Sequence, residues 1–101
     1  MTRLLDDDEV DKRMSHYDLV DWRREGGTLR RTIDAYDFPT AVHIVQKIVV
    51  EAQKLDHHPD IDIRGRTLHF TLSSEGGLSD ADVELAQRIE TAAGTLARGH
   101  D

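Results

Sequence analysis

The stretch KLDHHPDIDIRGRTLHF, Lys54 to Phe70, carries a change of period. Before it, apolar residues recur every three or four positions, as on one face of a helix. After His57–His58–Pro59 they alternate with polar ones, as on a strand. DIDIR and TLHFTLSS are two such strands, and Gly65–Arg66 between them makes a hairpin. Ile61, Ile63, Leu68, Phe70 and Leu72 are expected to face a core, with Asp60, Asp62, His69, Thr71 and Ser73 outward.

Working outward, FPTAVHIVQKIVVEAQKLD predicts the longest helix, with Pro39 in its first turn, where a missing N–H costs nothing. Its stripe is Ala41, Val45, Ile48, Ala52 and Leu55, widened by Val42, Ile44 and Val49. Pro59 is expected to close it, because the residue before a proline is pushed out of the helical region. LDDDEVDKRMSHYDLV predicts a first helix, with Val10, Met14 and Tyr17 at helical spacing. DWRREGGTLRRTIDAYDF predicts a hairpin turning at Gly26–Gly27, with Trp22 opening one strand. GGLSDADVELAQRIETAAGTLA predicts the last helix, with Ser79 as N-cap and Asp80 and Asp82 in its first turn. Its buried stripe is Leu85, Ala86, Ile89, Ala92, Ala93 and Leu96.

The order α-β-β-α-β-β-α implies an α+β, two-layer sandwich: a four-stranded antiparallel sheet with helices on one face. The 101 residues make one domain, 1–101, with a tail expected to fray from about residue 97. Such a sheet leaves two strand edges open, and symmetric pairing of edges would make a homo-oligomer.

Twenty acids against 13 bases give a formal charge of −7. That balance disfavours a grip on nucleic-acid backbones, which needs clustered Lys and Arg. With no cysteine, thiolate chemistry and disulfides are excluded. No run approaches the ~20 apolar residues of a membrane span, and the acidic N-terminus does not read as a secretion signal. A cytoplasmic location without membrane contact is the expectation.

Among the side chains that bear chemistry, His57 and His58 stand out. Neighbouring side chains diverge by about 100° on a helix and 180° on a strand, so adjacent histidines rarely chelate one ion; no metal site is expected. They could cap the helix C-terminus, where partial negative charge favours a cation. With an unperturbed pKa of about 6.5, either could equally serve as an acid or base. His43 reads as a structural histidine beside the apolar stripe, His16 and His100 as solvated, and Trp22 as packing. Nucleotide-binding and nucleophile motifs are absent.

The helix ending EAQKLDHHPDIDI, the hairpin after it, and GGLSDADVELAQRIE resemble the pterin-4a-carbinolamine dehydratases. The upstream DW, GG, LRRTI and YDF elements resemble the same family, and the likeness runs from about Leu4 to Ala93. The resemblance implies this α+β fold and a cofactor-free hydro-lyase whose pterin is the substrate. The reaction removes water from 4a-hydroxytetrahydropterin, the product of aromatic amino-acid hydroxylases, to give quinonoid dihydropterin. It needs an acid for the departing hydroxyl and a base for the N5 proton, and imidazoles suit both. His57 and His58 stand at the family's paired active-site histidines, His57 as principal acid/base and His58 binding or orienting the pterin. Pro59, Asp60, His69, Ser73 and Ser74 are expected to contact substrate. A homodimer or homotetramer is also implied.

Three positions depart from the family pattern. Gln53 replaces a charged residue four positions before His57. Gly65 stands where a hairpin aromatic is usual. Ser74–Glu75 occupies the place of a third histidine, in a loop two residues shorter. Glu75 is expected to inherit that histidine's catalytic role, with help from His69 if residues 69, 71, 73 and 75 share one strand face. The alternative reading is an inactive relative that binds proteins, as family members that engage transcription factors or assist Rubisco assembly do.

Overall fold

The computed structural model describes residues 3–94. The chain runs α1 (Asp7–His16), β1 (Arg23–Glu25), β2 (Thr28–Asp34), α2 (Phe38–Leu55), β3 (Asp60–Arg64), β4 (Thr67–Leu72) and α3 (Asp80–Gly94). The strands form one antiparallel sheet in the order β1-β2-β4-β3. The two hairpins join through β2 and β4, where Leu29 lies opposite Leu72 and Ile33 opposite Leu68. Leu68, Phe70 and Leu72 are buried while Thr67, His69 and Thr71 between them are half-buried. The helices cover the face bearing the buried set, as the alternation requires.

The core joins Leu29, Ile33, Leu68, Phe70 and Leu72 of the sheet to Ile44 and Ile48 of α2 and Val83, Leu85 and Ile89 of α3. Three packing expectations fail at its margins. Val49 is 50% exposed, because the buried line on α2 runs Ala41, Ile44, Ile48, Ala52 and leaves 49 outside it. Ile63 is 38% exposed, because β3 is an edge strand with no neighbour beyond it. His43 is exposed rather than packed. Leu96, His100 and the expected frayed tail lie outside the described residues.

Element ends also differ. α1 is shorter than its polarity pattern suggested. Asp6 and Glu9 form a capping box at its start, and Asp18 at φ 59 turns the chain left-handed just after it. Trp22 precedes β1 rather than opening it; it is buried, and its Nε1–H donates to Glu90 at 2.8 Å. Asp37 caps α2, with Pro39 in the first turn as expected.

The end of α2 is the difference that matters most. Pro59 does not close the helix. Asp56 does so three residues earlier, in the left-handed conformation at φ 51, ψ 44. The His57 N–H returns to the Ala52 carbonyl at 3.1 Å and the Asp56 N–H to Gln53 at 3.2 Å. This is a Schellman closure, with Asp in the place usually given to Gly. Pro59 then leads an already unwound chain into β3.

Candidate active site

The closure of α2 pins the His57 backbone, and its ring reaches the first turn of α3. His57 Nε2 lies 2.5 Å from Asp82 Oδ1. Asp82 is fully buried, whereas the His57 side chain keeps 19% of its surface exposed. A carboxylate withdrawn from water must be repaid by donors. Asp82 Oδ2 accepts from the Ser79 N–H at 2.9 Å and from the Ser74 hydroxyl at 2.7 Å. The Ser79 hydroxyl stands 3.3 Å from the same oxygen and 2.7 Å from Ser74 Oγ. An ionised carboxylate only accepts, so the proton of this contact sits on Nε2 and Nδ1 is the free position of the neutral ring.

α2 and α3 are also clamped on their outer sides. Arg88 of α3 donates to Glu51 of α2 at 2.9 Å and to Glu84 at 3.1 Å. The hydrogen bond from Arg88 holds the Glu51 carboxyl below the usual carboxylate range. Arg88–Glu51 is thus a further link between α2 and α3.

His58 points elsewhere. Its Nε2 donates to Gln53 Oε1 at 2.8 Å, in the last turn of α2. With Gln53 and Pro59 it edges a mostly apolar cavity of about 230 Å³, floored by Ile48, Val49, Ala52 and Ile61. Pro59 therefore serves as a wall of this cavity rather than as the stop of the helix. The two histidines diverge, and neither ring caps α2; the backbone N–H of His57 does.

The other expected residues scatter. His69 is half-buried on the opposite sheet face, its Nδ1 3.0 Å from Thr32 Oγ1 across the β2–β4 pair. Asp60 is exposed at the start of β3. β4 ends at Leu72, and Ser74 and Gly77 close a tight turn through bonds of 2.7 and 3.2 Å. Glu75 is exposed in that turn, so it does not continue the strand face of His69. Ser73 is exposed too, while Ser74 turns inward to Asp82. Among the described residues, no three His, Asp or Glu side chains converge as metal ligands would.

Asp82 is the residue that reading the sequence missed as part of the site. It passed as a first-turn acid favoured by the helix dipole. The signal was its spacing: three, four and seven positions before Leu85, Ala86 and Ile89, it stands on the buried face of α3. An acid at a core position needs a partner, and His57 supplies it. Ser79 stands directly before α3, as an N-cap would. Its hydroxyl, however, faces Ser74 and Asp82, and its N–H is held by the Asp82 carboxylate.

A buried carboxylate fixing one imidazole nitrogen, with the ring partly open to solvent, is an arrangement for moving one proton at the other nitrogen. Comparisons with known proteins give the family and the fold. The model of the family described as "Pterin 4 alpha carbinolamine dehydratase" matches residues 3–92. A Nocardia farcinica protein provisionally named pterin-4-alpha-carbinolamine dehydratase is 44% identical over 88% of this chain and 94% of its own length. A Mycobacteroides abscessus protein of the same name is 44% identical over 90% of this chain and 97% of its own. A Brucella melitensis structure described as a transcriptional coactivator/pterin dehydratase superimposes with a TM-score of 0.83 at 25% identity, over 91% of this chain and 100% of that one. A pterin dehydratase-like protein identified as a RuBisCO assembly factor in the alpha-carboxysome is alike in fold, with a TM-score of 0.62 at 16% identity, over 72% of this chain and 87% of that one.

Proposed function

The chain belongs to the pterin 4 alpha carbinolamine dehydratase family, and from that membership we propose that it dehydrates 4a-hydroxytetrahydropterin with His57 as principal acid and base. The observation that carries the reading is the 2.5 Å contact between His57 and the buried Asp82. As imidazolium, His57 gives its Nδ1 proton to the C4a hydroxyl; the C4a–O bond breaks and water leaves. The neutral ring then takes the N5 proton as the C4a–N5 double bond forms, which restores the imidazolium. Asp82 holds Nε2 throughout and keeps Nδ1 directed at substrate. The proposed reaction consumes no cofactor.

His58 orients the pterin from the rim of the apolar cavity, beside Pro59. Glu75, exposed next to Ser74 in the turn, is the second proton-transfer group in this reading; Asp60 and Ser73, also exposed, are outer contacts, and His69, on the opposite sheet face, takes no part. The location proposed for the reaction is the cytoplasm. Among the described residues, no helix is long and apolar enough to cross a membrane.

Stopped-flow dehydration of synthetic 4a-hydroxytetrahydropterin tests the proposal. His57→Ala should lose about 10²–10⁴-fold, the range of general acid–base groups. Glu75→Gln should lose less, because its carboxyl is exposed. A wild-type rate equal to that of buffer overturns the reading.

One observation favours a second reading. Glu75 stands where the family places a histidine, and it has no bond to the His57–Asp82 pair. Without a second proton-transfer group the chain would act as a protein-binding module, in keeping with the descriptions of two proteins of this fold as a transcriptional coactivator and a RuBisCO assembly factor. In either reading we infer a homo-oligomer joined through the free edge of β3, where Ile63 is exposed.

A further inference from the structure

We propose that Ser74 is a positioning residue for His57, acting through Asp82, and not a contact to substrate. The inference rests on the acid/base reading of His57. Ser74 sits at the end of β4, with its backbone held in the Ser74–Gly77 turn by two hydrogen bonds. The turn reverses within four residues through Gly76 at φ 88. Ser74 is thereby fixed by the sheet side of the molecule, independently of α3, and its side chain crosses to the Asp82 carboxylate.

The direction of the hydroxyl protons follows from counting them. Ser74 has one, and it goes to Asp82 Oδ2 at 2.7 Å. The 2.7 Å contact between the two serine oxygens must then be donated by Ser79. The chain of donation runs inward, from Ser79 to Ser74 to Asp82, and each donation strengthens the next. Oδ2 thus receives two close donors, Ser74 O–H and Ser79 N–H, on different elements. With that oxygen occupied, only Oδ1 is left for His57.

Removing the Ser74 hydroxyl leaves Oδ2 with the Ser79 N–H alone at close range. The carboxylate can then pivot, and the imidazole loses the fixed acceptor that holds its proton on Nε2. The effect reaches the reacting nitrogen without any contact between Ser74 and the pterin. It also explains how the β4–α3 turn influences a histidine at the far end of α2.

Two measurements test this on the full chain, with Ser74→Ala as the disrupting variant and Ser74→Thr as the one that keeps a hydroxyl. Imidazole nitrogen NMR of the wild type should show one neutral His57 tautomer, protonated on Nε2. Ser74→Ala should show a mixture of tautomers, and Ser74→Thr should restore the single one. In the dehydration assay Ser74→Ala should lower kcat about tenfold, the loss of one charge-assisted hydrogen bond, with KM unchanged. Wild-type-like nitrogen spectra in Ser74→Ala overturn the inference, as does a loss confined to KM, which would make Ser74 a substrate contact. If the wild type has no activity, the family reaction fails for this chain, and the spectra still decide the role of Ser74.

Discussion

His57 and Asp82 are 25 positions apart in the chain, and their side chains meet at 2.5 Å where the end of α2 faces the start of α3. One partner is partly open to solvent and the other fully withdrawn from it. The buried member cannot leave its place without exposing an unpaired carboxylate to an apolar interior, so it serves as the fixed point and the imidazole as the working end.

Asp82→Asn is expected to abolish most activity while the fold survives. The amide can offer an N–H to His57 Nε2 and so favour the tautomer already protonated on Nδ1, which leaves that nitrogen unable to accept the proton from N5. A loss in kcat on the order of 10²–10⁴-fold, as for removing the acid/base group itself, is expected. Circular dichroism should match wild type. Unaltered kcat would remove Asp82 from the mechanism.

His58→Ala should separate from His57→Ala by where its effect falls. His58 edges the apolar cavity and bonds Gln53, so its loss should raise KM more than it lowers kcat. His57→Ala should show the reverse. Steady-state kinetics of the two variants side by side make the comparison.

Ile63→Lys should break the oligomer. A lysine on an exposed edge opposes pairing with a second copy, and Ile63 is itself 38% exposed. Light scattering should find the wild type at a multiple of 11.5 kDa and the variant at a single chain. A monomeric wild type at micromolar concentration would rule out the edge interface.

Gly65→Tyr, which restores the aromatic usual in the family, should destabilise the chain. Gly65 has φ 60, and although a Cβ there would meet nothing within 4 Å, the left-handed backbone itself disfavours a side chain. A cost of about 1–2 kcal/mol is expected, seen as a lower midpoint in urea.

Glu9 should titrate well below an ordinary glutamate. The hydrogen bond from Arg3, with that from the Asp6 N–H, lowers its pKa from 4.5 to about 2. A folded pKa below the unfolded one means that the contribution to stability is present above about pH 4.5 and lost as pH falls through 2. Carboxyl carbon NMR should find the midpoint near 2 in the wild type and higher in Arg3→Ala.

The sequence by itself determined the element order, the α+β class, the turns at Gly26 and Gly65 and the stripe of α2. Those follow from periodicity and backbone preference, which act over a few residues. It also carried the family resemblance, through His57–His58–Pro59 and the segments around it. Only the tertiary structure decided how the site is built. Local rules placed Asp82 correctly in the first turn of α3, but they could not say that this turn faces the end of α2. Nor could they separate the rings: His57 turns to Asp82 and His58 to Gln53 because Asp56, not Pro59, ends the helix. Edge position likewise left Ile63 in solvent, since burial depends on what lies beyond a strand and alternation reports only its two faces.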